Sequence, residues 1–150
     1  MTIDSVLAWL HHLCFLGMAA ALAMQWALLA PSRPGLPLAM LGRTDAWYGG
    51  LAGLLLVIGI ARVVWGAKGP DFYLASPLFW AKMGLFAAVG AVSVLPTLHY
   101  LRWRKQAGRT EGFQPGEPEV AKVRIAIQLQ ALGWLALPLL AAAMARGLDR

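Results

Sequence analysis

The chain has 150 residues, of which 59% are apolar and only 13% are charged. Soluble domains contain about half apolar and about a quarter charged residues, so a water-exposed fold of this composition would leave large apolar patches uncovered. The formal net charge is +6, but the basic residues cluster at predicted helix ends and in one loop. This distribution argues against nucleic acid as a partner and favours a protein embedded in a lipid bilayer.

Four long apolar segments predict four transmembrane helices, since a helix needs about 20 apolar residues to cross a bilayer. The segments cover residues 5–30, 44–67, 77–103 and 120–148. We expect an all-α polytopic membrane protein whose four transmembrane helices form one antiparallel bundle over residues 1–150. The first apolar run is too long for a signal-peptide core, so we expect that helix to be retained.

Proline, glycine and capping residues predict the helix boundaries. The first helix is expected to end at the proline cluster of residues 31–37, because proline cannot continue a helix. Thr44 and Asp45 are expected to cap the second helix, since both residue types are favoured at the N-cap. Residues 71–76 are predicted to form a loop, and residues 104–119 the only long hydrophilic loop.

The distribution of basic residues predicts the orientation in the membrane. Of the 13 Lys and Arg residues, eight fall on the side of the first and third loops and five on the other side. The first group is Arg33, Arg43, Arg102, Arg104, Lys105, Arg109, Lys122 and Arg124; the second is Arg62, Lys68, Lys82, Arg146 and Arg150. Because cytoplasmic loops carry an excess of Lys and Arg, both termini are expected in the periplasm.

Small residues four positions apart occur in three of the predicted helices. The pairs are Gly17 with Ala21, Gly49 with Gly53, and Gly84 with Ala88. Such spacing lets helix backbones approach closely in a membrane. We expect these pairs to pack within one bundle, in preference to forming a homo-oligomer.

Ionisable side chains inside the predicted spans are the candidates for a functional site, because a charge within the bilayer is costly. His11 and His12 lie about two turns into the first helix, and Lys82 lies at a similar depth in the third. Arg62 and Arg146 approach the same level from the ends of the second and fourth helices. These residues are predicted to line one pocket in the outer leaflet.

Simpler interpretations exist for each of these residues. Arg62, Lys82 and Arg146 are near enough to helix ends for their charged groups to reach the membrane surface. Adjacent histidines point about 100° apart on a helix, so at most one of the first-helix pair faces the bundle centre, and the sequence does not choose between them. His99, near the opposite end, fits a headgroup contact better than a metal ligand.

Four segments carry a resemblance to a known family. They are Arg43–Gly50, Tyr48–Gly69, Phe72–Gly84 and Pro138–Gly147, and they resemble an uncharacterised family of bacterial inner-membrane proteins known only as a domain of unknown function. The likeness covers essentially the whole chain. It implies four helices and a bacterial inner membrane, but no activity.

A more distant resemblance rests on a histidine early in the first helix, His11 or His12, and on Lys82 early in the third. This pattern is similar to that of HemJ-type protoporphyrinogen oxidases and of the wider group that includes CopD-like copper-resistance membrane proteins. The resemblance implies haem b held in the bundle by that histidine and lysine. His99 echoes a similarly placed histidine and is the weaker candidate for the iron.

The leading hypothesis is therefore an inner-membrane haem-b protein, with an oxidoreductase activity on quinones or a porphyrinogen. Arg62 or Arg146 would pair with the haem propionates. One alternative is a small carrier or metal-handling protein, in which the same pocket accepts an anionic substrate or a copper ion with help from Met18 or Met83. Another is a non-catalytic assembly factor that contacts partners through residues 104–119. The sequence identifies neither the substrate nor the oligomeric state.

Overall fold

The computed structural model describes residues 2–31 and 35–148, and within these ranges its secondary structure is helical, without strands. The helices are α1 (Ile3–Leu28), α2 (Leu38–Trp65), α3 (Gly69–Leu74), α4 (Pro77–Ala107) and α5 (Glu117–Ala145). All but α3 are long and apolar enough to cross a membrane. The predicted fold class and the four spanning helices are thereby confirmed. Arg33 and Arg150, which entered the charge count, lie outside the described residues.

The four long helices form two antiparallel pairs. Helix α1 packs along α2 and α4 packs along α5, while the pairs meet through α2 with α4 and, over a shorter length, through α1 with α5. The start of α1, the end of α5 and the short helix α3 lie at one end of the bundle, here called the terminal end. The opposite end, here called the loop end, carries residues 35–37 and 108–116.

Local hydrogen bonds fix where α1 and α4 begin. The Thr2 hydroxyl accepts from the backbone N–H of Ser5 at 3.3 Å. The Ser76 hydroxyl accepts from the N–H of Phe79 at 3.1 Å, and Pro77 occupies the first turn of α4. The first N–H groups of a helix have no acceptor within it, and a hydroxyl cap accepts from one of them. Proline is tolerated in this turn because it has no N–H group to leave unbonded.

Large apolar side chains point outward along the middle of the bundle. Leu135 and Leu139 of α5 are 71% and 72% exposed, and Val57 and Ile60 of α2 face outward as well. In water such a surface would drive aggregation, whereas lipid acyl chains are as apolar as these residues. The bundle surface therefore matches a bilayer environment.

The core is densest toward the loop end. Trp103 of α4 is fully buried, and its indole N–H donates to the Glu119 carboxylate at the start of α5, at 2.8 Å. Arg124 of α5 donates through Nε and Nη2 to the Leu29 carbonyl, at 3.2 and 2.8 Å. These contacts tie α4 to α5 and α5 to the end of α1.

The predicted start of the second helix was wrong. Helix α2 begins at Leu38, so Thr44 and Asp45 lie within it and do not cap it. Both are buried, and the Thr44 hydroxyl donates to the Met40 carbonyl at 2.9 Å, a bond typical of a helix interior. The physical reason is that Leu38 and Leu41 add a buried turn to the core, which outweighs the capping preference.

Other boundaries also differ from the predictions. Residues 71–76 were predicted as a loop, but α3 covers Gly69–Leu74, with Pro70 in its first turn, where proline is tolerated. Helix α4 continues to Ala107 and α5 begins at Glu117, which shortens the hydrophilic loop to residues 108–116. The bond from Trp103 to Glu119 joins α4 to α5 beside this shorter loop.

The small-residue pairs do not all pack within the bundle. A Cβ built on Gly17 would lie 2.9 Å from the side chain of Leu51, so this glycine does allow α1 to approach α2. No atom of the described residues outside the local backbone lies within 4 Å of such a Cβ at Gly49, Gly53 or Gly84. The prediction was therefore wrong for these three glycines, because bulky residues such as Tyr48 occupy the core face of α2.

Candidate functional site

His11 is the histidine of α1 that faces the bundle. It is half-buried, and a Cβ built on Gly59 of α2 would lie 3.5 Å from its Cε1 atom, so its ring packs against the α2 backbone. Its Nδ1 atom is buried and has no hydrogen-bond partner among the described residues. His12 is exposed, and its Nδ1 donates to the Ala8 carbonyl at 2.6 Å. The structure thus distinguishes the two residues that the sequence left equivalent.

Lys82 of α4 and Arg62 of α2 lie near His11. Both are half-buried and close enough for their charges to act on the imidazole ring, and the charge of Arg62 also acts on Lys82. The Nε atom of Arg62 is buried without a hydrogen-bond partner in the part of the chain that the structure describes. Three helices therefore bring three nitrogen-bearing side chains together at the terminal end. We call His11, Arg62 and Lys82 the basic cluster.

The basic cluster lacks an ion-paired carboxylate. Over residues 2–31 and 35–148 the one ion pair within 4.0 Å joins Arg124 to Glu117, at the loop end. Asp4 lies at the terminal end, where its carboxylate approaches Gly66, but it forms no ion pair with the cluster. Unpaired cationic groups at the edge of a low-dielectric region attract anions more strongly than the same groups do in water.

The remaining predicted site residues are not brought into the cluster. Arg146 is exposed at the C-cap of α5. His99 lies toward the loop end of α4, where its Nδ1 donates to the Leu95 carbonyl at 2.9 Å and its ring centroid is 5.7 Å from that of Trp103. The structure therefore narrows the predicted set from six residues to three, on α1, α2 and α4.

The nitrogen donors of the cluster limit which cofactor they could hold. Among the described residues, no group of three or more His, Cys, Asp or Glu side chains could hold a metal ion. The described residues therefore do not form a site for a metal ion held by the protein alone. A haem iron needs at most two ligands from the protein, because the porphyrin supplies the others. The partnerless Nδ1 of His11 and the amine of Lys82 would be the two candidates here.

A second polar cluster lies in the loop-end half of the bundle, and the sequence analysis missed it. Asp45 of α2 interacts with the Thr97 hydroxyl of α4 and acts electrostatically on Tyr48 and Tyr100. Sequence signals existed, because Leu41, Asp45 and Tyr48 recur at helical spacing on the face that α2 buries. The N-cap interpretation of Asp45 obscured that pattern.

An apolar cleft of about 710 Å³ opens between α1 and α5 toward the surrounding lipid. Phe15 and Trp134 form its wall, with ring centroids 3.9 Å apart, and Gln128 is among its few polar residues. The cleft exists because α1 and α5 contact each other over a shorter length than α1 and α2 do. Its lining suits an acyl or isoprenoid chain, and the basic cluster does not contribute to it.

A family model described as predicted membrane protein (DUF2214) matches residues 3–149. No curated protein and no solved structure matches the chain. The resemblance to an uncharacterised membrane family is therefore confirmed, whereas the resemblance to HemJ-type oxidases stays a prediction. Because the match covers nearly every residue, the chain belongs to the DUF2214 family of membrane proteins.

Proposed function

We propose that the chain is a membrane protein that binds an anionic ligand at the basic cluster, in the manner of a small carrier or receptor. The observation that carries this proposal is the pair of buried nitrogen atoms without partners, Nδ1 of His11 and Nε of Arg62. A buried donor without a partner costs about 1–3 kcal/mol. An anion removes that cost when it accepts from the Nε–H of Arg62, and from Nδ1 of His11 in the tautomer that carries its hydrogen there.

Charge supports the same proposal. Arg62 and Lys82 both carry positive charge near the ring of His11, and neither forms an ion pair with a carboxylate in the described residues. A carboxylate or phosphate would neutralise this repulsion and form charge-assisted hydrogen bonds, which are about twice as strong as neutral ones. Such a ligand could be a free anion or the phosphate of an anionic lipid headgroup.

The test is thermal unfolding of the detergent-purified protein with inorganic phosphate, with acetate, or with chloride alone at one ionic strength. A bound ligand stabilises the folded state by about 2.7 kcal/mol at a hundred times its dissociation constant. Phosphate or acetate should therefore raise the unfolding temperature, and Lys82→Gln should abolish the rise. Stabilisation only by phosphatidylglycerol, and not by phosphatidylcholine, would identify a lipid headgroup as the source. No stabilisation by any of these would contradict anion binding.

Haem b is a second candidate ligand, favoured by the convergence of His11 and Lys82 from α1 and α4. His11 would ligate the iron, Lys82 could do so as a neutral amine, and Arg62 would pair with a propionate. Bound haem would supply one-electron chemistry, which an activity on quinones or a porphyrinogen would require. The chain's own contribution would be to hold the group at the terminal end of the bundle.

Absorption spectra of the purified protein, oxidised in air and then reduced with dithionite, test the haem proposal. A Soret band with near-unit haem per protein, lost in His11→Ala and retained in His12→Ala, is the expected result. A colourless preparation from cells with ample haem would exclude haem b and leave the anion proposal standing. Copurification with a stoichiometric protein partner would instead favour the assembly factor.

We also propose that the membrane is a bacterial inner membrane, with both termini in the periplasm. The excess of basic residues on the side of the first and third loops supports this orientation. A reporter that is active only in the cytoplasm should be inactive when fused after residue 150 and active when inserted at residue 110. The reverse pattern would overturn the orientation.

A further inference from the structure

Asp45 carries the one buried carboxyl group among the described residues. It is 8% exposed and lies seven residues into α2, roughly 10 Å from the start of the helix. Within the described residues it forms no ion pair. A carboxylate in this position would be a buried charge without a counter-ion, which is among the most costly arrangements in a membrane protein.

The Thr97 hydroxyl of α4 is the hydrogen-bond partner of the Asp45 carboxyl group. Thr97 has a single hydroxyl hydrogen, and it donates that hydrogen to the Ser93 carbonyl at 3.1 Å. While it does so, the hydroxyl oxygen can accept from a protonated Asp45, and an ionised Asp45 would instead accept that hydrogen from Thr97. Thr97 can therefore bond either form of the carboxyl group, and the burial of Asp45 without a counter-ion is what favours the neutral acid.

Two further buried oxygen atoms in the loop-end half of the bundle have no hydrogen-bond partner among the described residues. The Tyr100 hydroxyl, on a residue that is 2% exposed, lies within electrostatic range of Asp45 and has no hydrogen-bond partner among the described residues. The Gln25 amide oxygen, on a residue that is 1% exposed, has no partner there either. The contact of Thr44 with Met24 places Gln25 at the level of Asp45 along the α1–α2 pair.

Other charged groups do not neutralise Asp45. Tyr48 of α2 and Tyr100 of α4 lie within electrostatic range of Asp45, and the buried polar residues of α1 and α5 are Gln25 and Gln130, whose amides carry no charge. Arg104 of α4 lies a turn nearer the loop end, against Gly42, and forms no ion pair with Asp45. The group available to cancel the charge of this carboxylate is a proton.

We propose that Asp45 is a proton-binding site of the bundle, which holds a neutral carboxylic acid against Thr97 and exchanges its proton with the solution at the loop end. On release, the O–H bond of the carboxyl group breaks and the proton passes to water. The Thr97 hydroxyl then turns from the Ser93 carbonyl to donate to the new carboxylate. Proton exchange thus changes a contact between α2 and α4, independently of the basic cluster.

Infrared spectroscopy of the purified protein tests this site directly. Among the described Asp and Glu residues Asp45 is the buried one, so a carboxylic-acid band that disappears in Asp45→Asn can be assigned to it. One carboxylic-acid C=O band is expected at pH 7, lost in Asp45→Asn and lost reversibly at high pH. Absence of the band from the wild-type protein at pH 7, or its persistence in Asp45→Asn, would overturn the proposal.

A second variant keeps the test decisive if Asp45→Asn does not fold. Thr97→Val preserves the shape of the side chain and removes the acceptor, so the C=O band should shift in frequency. Thr110→Val, in the hydrophilic loop, is the matched control and should leave the band unchanged. An unshifted band in Thr97→Val would contradict the assignment of Thr97 as the partner of the acid.

Discussion

Trp134 donates its indole N–H to the hydroxyl of Tyr48 at 3.0 Å, which joins α5 to α2 across the bundle. Both residues are buried, and the ring of Trp134 also packs in an edge-on arrangement against Phe15 of α1. One indole therefore connects three of the four spanning helices. Because lipid offers no alternative hydrogen-bond partner, this bond contributes to the arrangement of the two helix pairs.

Tyr48→Phe should destabilise the bundle, because it leaves the Trp134 N–H buried without an acceptor. We expect the free energy of unfolding to fall by about 1–3 kcal/mol. The measurement is a titration with a denaturing detergent of protein held in micelles of a mild detergent. Tyr73→Phe, in the short helix α3, is the control and should be nearly neutral. Equal denaturation midpoints for wild type and Tyr48→Phe would show that the bond is not stabilising.

Gly133→Ala should destabilise the contact between α4 and α5. A Cβ at this position would collide with the side chain of Val89, and overpacking of this kind costs about 1–3 kcal/mol. Gly90→Ala is the matched control, since no atom of the described residues outside its local backbone lies within 4 Å of the added Cβ. The control should be neutral or stabilising, because alanine favours helix over glycine by about 1 kcal/mol. Identical effects of the two substitutions would contradict the packing described for this contact.

Arg124→Gln should make the end of α1 open more often at the loop end of the bundle. Its guanidinium donates twice to the Leu29 carbonyl, which follows the last turn of α1, and hydrogen bonds to charged groups contribute about 1.5–3 kcal/mol. Lys122→Gln, an exposed position two residues earlier in α5, controls for the loss of one positive charge. Faster backbone amide exchange near residues 25–30 in Arg124→Gln alone is the expected result, and similar exchange in both variants would argue against this role.

His11→Leu and His12→Leu should differ in ligand binding although the residues are neighbours. His11 presents a buried, partnerless Nδ1 to the basic cluster, whereas the Nδ1 of His12 is bonded to the Ala8 carbonyl. Stabilisation by phosphate should therefore fall in His11→Leu and persist in His12→Leu. If both variants behaved like wild type, His11 would have no part in the site.

Composition and periodicity predicted the helical class and the four spans, because a long apolar run has few alternatives in a bilayer. Boundaries were less predictable, since tertiary packing of Leu38 and Leu41 extended α2 past its apparent cap. The same error concealed Asp45, whose burial depends on Thr97 and Tyr100, about fifty residues away in sequence. Depth along the helices predicted one level for the first-helix histidines, Lys82, Arg62 and Arg146. His11, Arg62 and Lys82 lie within electrostatic range of one another, whereas Arg146 is exposed at the end of α5. The choice of His11 over His12 depends on packing against Gly59, which the sequence does not show.

Titration of the purified protein with inorganic phosphate in a calorimeter, at constant ionic strength, tests the anion proposal most directly. The account predicts one saturable site per chain, weakened at least about tenfold in Arg62→Gln, which corresponds to about 1.4 kcal/mol. Arg146→Gln removes an exposed charge at the same end of the bundle and should bind phosphate like wild type. No binding to the wild-type protein, or equal weakening in both variants, would contradict a built anion site at His11, Arg62 and Lys82.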